Sequence, residues 1–413
     1  LGLLKASQTE YQCMAAKLGS ACFSHLNHLS YRVTVKLILN PLTDLELLIK
    51  HKGYYGGVTG SVSRFQLTET MLKLLTDSKL DPNLIYSRRP TRLVKIKPPK
   101  SKPHEKMILT TAEETEVLRL KDDLIAYNAR LKNTFLDLCV SEEEEAQINR
   151  RMARKAKSTN EDRPSRLWLD KKYIYRVFNN NSMELGGRHY GGWWQTVPSE
   201  WRPRIVIDGE PTVEVDYGQL HFRMLYRFEG SAAATTTSDL YQIDGMDPKY
   251  RDDNKSVYAA VLNAESCNQI EKLIVKNKRD GIWYVGGFPA GINSATDLLK
   301  VLEAQHLQIE KYFYSGVGLS LQNTDSKIMH KVIMRLLLQH DVVALPIHDS
   351  VIVKDKYKDL LKDIMEEVYV DVMGVKPILK VDHSMEDKYL SLMDSNEGFQ
   401  TRCKAFKGGF TGY

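Results

Sequence analysis

The stretch "VEVDYGQLHFRMLY", Val213 to Tyr226, carries an acid where a buried strand should carry none. Val213 and Val215 point to one face and Glu214 and Asp216 to the other, the two-residue alternation of a strand. Gly218 breaks that pattern, and Leu220, Met224 and Leu225 begin a helical stripe. Burying an unpaired carboxylate costs several kcal/mol, so Asp216 needs a compensating charge. A second acid is placed alike: in "ALPIHDSVIVKD", Ala344 to Asp355, the apolar arms Val342 to Ile347 and Val351 to Val353 flank His348-Asp349-Ser350 as a tight hairpin. Two aspartates at strand ends suggest a shared ligand. Oxygen donors of this kind suit Mg²⁺, which keeps room for water and substrate phosphates. A pair of such ions can activate an attacking hydroxyl and stabilise the leaving oxygen of a phosphoryl transfer. Glu214 faces the same way as Asp216 and reads as a rim residue, with an extra metal ligand as the alternative.

Between the acids lies "YRDDNKSVYAAVLNAES", Tyr250 to Ser266, in which Arg251, Lys255, Ala259 and Asn263 recur every four residues on one helix face. Arg and Lys one turn apart can hold a triphosphate, the first as a forked donor and the second as a point charge near pyrophosphate. Upstream, "NNNSMELGGRHYGGWWQ", Asn179 to Gln195, brackets Arg188, Tyr190, Trp193 and Trp194 with glycines. Glycines allow close backbone approach, and Arg with aromatic rings meets phosphates, sugars and bases. Arg188 is expected to serve such a contact; Trp193 and Trp194 fit either that role or a core.

These residues need elements to hold them. The chain has 413 residues, of which 42% are hydrophobic and 27% charged, enough for two or three domains with sizeable cores. No apolar run is long enough to span a bilayer. The N-terminal "LGLLKASQTEYQ" is too polar for a signal peptide, and its lack of an initiator Met suggests a processed or trimmed chain. The five cysteines are scattered with no CxxC pair, which argues against zinc or disulfides and for a reducing interior. The net charge of +6 permits a polyanionic partner. Basic residues concentrate in Ser87 to Lys106 and again in Asn149 to Lys157.

Residues 1–30 read as helical. A helix is expected to start at Thr43 or Asp44 and run through "LELLIK", a second spans Leu67 to Ser78, and "LIYSRRPTRLVKIKP" reads as two strands around a basic turn. Helix, turn, helix and basic hairpin outline a winged helix, in which the second helix enters a groove and the wing touches phosphates; an unrelated small α/β subdomain fits the same pattern. "PPKSKPH" is a stiff linker. Glu113 to Leu131 keeps helical spacing, with Thr111 and Glu114 as a candidate capping box. Glu142 to Arg166 is polar, and the chain turns strand-rich after Leu167, where the main domain boundary is expected.

The motif set resembles that of the family A DNA polymerases and their relatives, the phage-type single-subunit RNA polymerases. Asp216-Tyr217-Gly218-Gln219-Leu220-His221-Phe222-Arg223 is similar to the first catalytic motif of family A, normally Asp-Tyr-Ser-Gln-Ile-Glu-Leu-Arg. His348-Asp349-Ser350 resembles the third motif, which has Ser in the single-subunit RNA polymerases. "LQNTDSKIMHKVIM" from Leu321, Arg251 with Lys255, and "GGR" at Gly186 to Arg188 match the remaining elements in order, across Asn179 to Asp355. The resemblance implies an α+β right hand: a palm on an antiparallel sheet with flanking helices, and reduced fingers between Tyr241 and Gln305. It implies that Asp216, Asp349 and the Tyr217 carbonyl bind two Mg²⁺ ions, with Mn²⁺ able to substitute. Asp216, Asp349 and Lys255 would be catalytic, and Lys255 would protonate pyrophosphate. Arg251, Lys255, His221, Asn263 and Tyr258 would line the nucleotide, and Arg188, Gln322, His348 and Tyr190 the primer–template. Two departures leave the choice of sugar open: His221 replaces the Glu that screens out ribonucleotides, and Asn263 stands where a Tyr is expected, with Tyr258 nearby.

The expected organisation is a helical, winged-helix-like nucleic-acid-binding domain over 1–100, a helical linker or thumb-like region over 101–166, and palm and fingers over 167–413. The expected function is DNA polymerisation without proofreading in a phage or other mobile replicon, on primed or single-stranded DNA with nucleoside triphosphates. The chain is expected to work in the cytoplasm, away from membranes. A primase or RNA polymerase is the chemical alternative, and a non-catalytic replication initiator on a polymerase-like scaffold the alternative of another class. Asp44-x-Glu46 reads as a capped helix start, not an exonuclease motif.

Overall fold

The computed structural model describes residues 13–16, 32–56, 59–61, 63–77, 92–99, 101–105, 107–158, 166–384, 393 and 395–407. The chain forms two compact units, one of residues 1–91 with 405–413 and one of residues 92–404. The class is mixed α+β with mainly antiparallel sheets. None of the described helices is long and apolar enough to cross a membrane.

The smaller unit contains a three-stranded antiparallel sheet, in which β5 (Ser63–Leu67) pairs with both β1 (Cys13–Ala16) and β2 (Leu48–His51). A hairpin of β3 (Tyr54–Gly56) and β4 (Thr59–Ser61) accompanies it. A helical stretch over Arg32–Leu39 runs into α1 (Asn40–Asp44), and α2 spans Glu69–Asp77. Two expectations are corrected. Cys13–Ala16, read as helical, is a strand. "LELLIK" does not begin a helix: the chain turns at Leu45 and Glu46, with Glu46 at φ +56°, and Leu48 onward pairs with β5. Asp44 ends a helix instead of capping one, because Pro41 fits the first turn and starts that helix earlier. The side chains of Leu48, Phe65 and Leu67 then meet Leu39 in a small core. The basic turn expected between residues 84 and 91 lies outside the described residues. Val94–Ile96, read as its second arm, is β6 of the larger unit and runs parallel to β8 (Tyr175–Asn179).

In the larger unit α3 (Thr111–Lys132) opens on a capping box one residue earlier than expected, between Thr110 and Glu113. Residues 101–166 also supply β7 (Leu136–Leu138) and α4 (Glu142–Ser158) to this unit. β8 pairs antiparallel with β9 (Ser182–Tyr190), with register shifts near Gly186. The central sheet is built around β11 (Glu210–Tyr217). One edge of β11 pairs with β13 (Ser350–Lys354), itself in a hairpin with β12 (Leu345–Ile347); β14 (Leu379–Ser384) also pairs with it. A tight Asp208-Gly209 turn, both residues at positive φ, joins β10 (Ile205–Ile207) to β11.

The helices are α5 (Leu220–Phe228), the group α6 (Arg251–Asn263), α7 (Cys267–Arg279) and α8 (Ala295–Ala304), then α9 (Gly318–His340), α10 (Lys358–Met373) and α11 (Glu397–Lys407), of which α9 and α10 pack on the strands of this sheet. α9 is the spine, touching β9, α5 and α10. Its buried stripe of Leu321, Ile328, Val332, Ile333 and Leu336 joins the main core with Val213, Val215, Leu345 and Ile352. Trp193 and Trp194 are core residues, which resolves their alternative readings.

Candidate active site

The register of the central sheet brings the two distant acids together. Asp216 pairs with Ser350 across the β11–β13 ladder, and the Tyr217 amide donates to the Asp349 carbonyl at 3.2 Å. The carboxylates therefore rise from neighbouring backbones at one end of the sheet, and both are partly exposed. His348 takes φ +53° at the hairpin tip, a conformation that costs a non-glycine residue about 1 kcal/mol. The hairpin is anchored from outside: Trp194 Nε1 donates to the Pro346 carbonyl at 3.1 Å and Gln195 Nε2 to the same oxygen at 3.0 Å.

Glu214 is not a rim residue. It is 4% exposed, accepts from Arg202 Nη1 at 2.5 Å and from Ser350 Oγ at 2.5 Å, and so locks β11 to the start of β13. The strand alternation aimed it correctly; the sequence did not show that Arg202 and Ser350 would enclose it.

The residues after Asp216 build a rigid turn. Tyr217 is buried with its hydroxyl donating to the Met365 carbonyl at 2.7 Å. The Gly218 amide donates to the Ile378 carbonyl at 2.8 Å, and a Cβ there would lie 3.3 Å from that oxygen, tighter than most side chains tolerate. Gln219, at φ +56°, accepts from the Leu240 amide at 3.2 Å and donates to Asp239. Arg223 reaches back to the Gly218 carbonyl at 2.8 Å and across to the Thr236 carbonyl at 2.5 Å. Asp239 in turn accepts from Arg251 Nε at 2.5 Å. A continuous set of bonds thus runs from the turn behind Asp216 to the first residue of α6. Against the effect of burial, Arg251 and the Tyr241 amide hold Asp239 below the usual carboxylate range. Tyr241 lies within reach of both acids: burial raises its phenol pKa first, and the Asp349 and Asp216 charges raise it further.

The other expected residues divide. Lys255 is exposed one turn beyond Arg251. Asn263 is exposed at the far end of α6, about 18 Å along the axis from Arg251, with its amide donating to the Ala259 carbonyl at 2.7 Å. Tyr258 is 1% exposed, packs on Phe222 at 4.8 Å and donates to the Leu302 carbonyl at 3.0 Å, so its side chain faces the core. Tyr190 sits edge-on to His348 at 6.3 Å between ring centroids. Gln322 is half-buried on α9.

Arg188 and His221 meet at Asp325, which sequence reasoning did not single out. Arg188 Nη2 lies 2.5 Å and His221 Nε2 2.8 Å from Asp325 Oδ2. Burial works against the Arg188 charge, but Asp325, and then Asp349, outweigh it and hold its pKa above the ordinary guanidinium value. Asp239 and Tyr241 were missed as well. The one signal for Asp325 is an acid on the apolar stripe of α9; for Asp239 and Tyr241 there is none.

The Asp216 and Asp349 carboxylates are hard-oxygen donors of the kind a divalent cation such as Mg²⁺ takes. Among the described residues no side chain bonds the Asp349 carboxylate, and no group of three or more His, Cys, Asp or Glu is placed to hold a metal alone. Any such ion would therefore complete its shell with water or substrate oxygens.

No family model matches the chain, and no curated protein matches it. Among solved structures, the POL domain of Pol1 from M. smegmatis, in complex with DNA primer-template and dNTP, is similar over 52% of this chain and 48% of that one, at 13% identity and a TM-score of 0.35. The chain thus spans about half the length of that structure, and a likeness of this size carries no argument about activity.

Proposed function

We propose that the chain is a compact template-directed nucleotidyltransferase, a DNA polymerase built on a palm-like sheet. The observation that carries this reading is the β11–β13 register, which sets Asp216 beside Asp349 on a partly exposed sheet end with Arg251 tied to the same turn. Asp216, Asp349 and the Tyr217 carbonyl would hold two Mg²⁺ ions, or Mn²⁺ in their place. Bound there, such ions lower the pKa of an attacking hydroxyl and stabilise the leaving oxygen. Arg251 and Lys255 clamp the triphosphate, and Lys255 donates a proton to pyrophosphate. Arg188, Tyr190, Gln322 and His348 line the path of the primer–template. Tyr258 supports α6 from behind, and Asn263 stands about three turns from Arg251 and about two from Lys255.

The test is extension of a labelled primer–template with dNTPs or NTPs and Mg²⁺ or Mn²⁺, using wild type and Asp349→Asn. Wild type should extend the primer, and the variant should be slower by at least ~10²-fold. Equal product from both proteins would overturn the reading. Use of ribonucleotides alone would replace the DNA polymerase by a primase or RNA polymerase. A wild type that binds template without extending it would favour the non-catalytic initiator.

A further inference from the structure

Asp325 is wholly buried in α9, in line with the apolar Leu321 and Ile328. A carboxylate in such a place persists only when its charge is answered. Two groups answer it. Arg188 Nε lies 3.2 and 3.1 Å from its two oxygens and Nη2 lies 2.5 Å from Oδ2; His221 Nε2 donates to Oδ2 at 2.8 Å. The two partners are side by side, 3.4 Å apart, and are only 16% and 23% exposed. Arg188 comes from β9 and His221 from the first turn of α5, five residues beyond Asp216. This geometry leaves Arg188 Nη1 without a hydrogen bond among the described residues. Paired donors held by a carboxylate in fixed orientation bind more specifically than a mobile charge.

We infer that Asp325 is a positioning residue: it fixes Arg188 to grip the growing strand's end, with His221 held beside it to line the incoming nucleotide. The inference rests on the polymerase reading above. Asp325 touches no substrate and acts only through its two partners. A second effect opposes it, since Asp325 also cancels the Arg188 charge. If cancellation dominated, removing the acid would strengthen binding to a phosphate backbone. The crowded, bidentate geometry makes orientation the larger effect, because a released Arg side chain regains rotamer freedom that binding must again remove.

Asp325→Asn keeps the shape while removing the charge. It should raise the KM for a primer–template duplex, and its Kd measured by fluorescence anisotropy, about tenfold, with kcat carrying the smaller share. In an Arg188→Gln, His221→Ala background the same change should have no further effect on either constant, as expected when one residue acts through two others. Thermal unfolding of each variant checks that it folds, and the Kd is read on folded protein.

Tighter binding by Asp325→Asn at low salt would overturn the inference in favour of charge cancellation. An undiminished loss in the double-variant background would overturn it in favour of a general packing role. Normal extension by wild type with no effect of Asp325→Asn would sink the inference alone. A wild type that neither binds nor extends primer–template would sink the polymerase reading and this inference with it.

Discussion

The histidines show how much a single side chain's chemistry depends on its enclosure. His306 Nε2 lies 2.9 Å from the Leu240 carbonyl, which only accepts, so the proton is on Nε2 and Nδ1 accepts from the Tyr226 hydroxyl at 2.7 Å. His330 Nε2 donates to Asp123 at 3.0 Å, and His189 Nε2 donates to His330 Nδ1 at 3.2 Å with the two rings stacked. Burial pushes the pKa of His306 and of His330 down to about 4 from the ordinary 6.5. Between those values the unfolded chain binds protons that the folded chain refuses. Their stabilisation is therefore fully present above pH ~6.5 and lost as the pH falls to ~4, on the order of 3 kcal/mol for each ring. Urea midpoints should fall between pH 7 and pH 5, and His306→Gln should flatten that fall. Parallel pH profiles for wild type and variant would refute the assignment. Asp349 and Asp216 differ from these rings in being partly exposed.

At the scale of elements, the meeting of β9 and α9 carries both the core and the site. Gly187 has φ +89°, and a Cβ there would fall 2.7 Å from Phe178 Cε1 and 2.8 Å from Ser326 Oγ. Arg176 uses the same gap, donating to the Gly187 carbonyl at 2.6 Å and to Ser326 Oγ at 2.8 Å. Gly187→Ala should destabilise by roughly 2–4 kcal/mol, combining backbone strain with overpacking. A denaturation midpoint within error of wild type would show that β9 can withdraw from α9. The glycines around Arg188 were legible as sites of close approach; that the partner is α9 was not.

Over the whole molecule, stability depends on pairs remote in sequence. Asp137 on β7 is wholly buried; burial raises its pKa, against the pull of Arg402 on α11, whose Nε and Nη2 lie 2.7 and 3.0 Å from its oxygens. Phe399 packs on Phe135 at 5.7 Å beside this bridge. Arg402→Ala should cost about 3–5 kcal/mol, because it takes the principal partner from a buried charge. Adding Asp137→Asn should recover much of that loss. If the double variant is as unstable as the single one, packing of α11, not the charge pair, holds this corner.

The sequence by itself determined the elements whose signals are local. The alternation in Val213 to Asp216, the break at Gly218 and the apolar arms around His348-Asp349 dictate strands, turn and hairpin through side-chain periodicity and backbone sterics. The capping residues of α3 were legible to within one position for the same reason. Where local signals were ambiguous, as in "LELLIK", pairing with β5 decided the outcome, because a strand that closes a small core outweighs weak helix propensity. Only the tertiary structure enclosed Glu214 with Arg202 and Ser350, turned Tyr258 inward, and set Asp325 between Arg188 and His221. These are contacts between residues 12 to 137 positions apart. They are fixed by sheet register and helix packing, which no short window of sequence encodes.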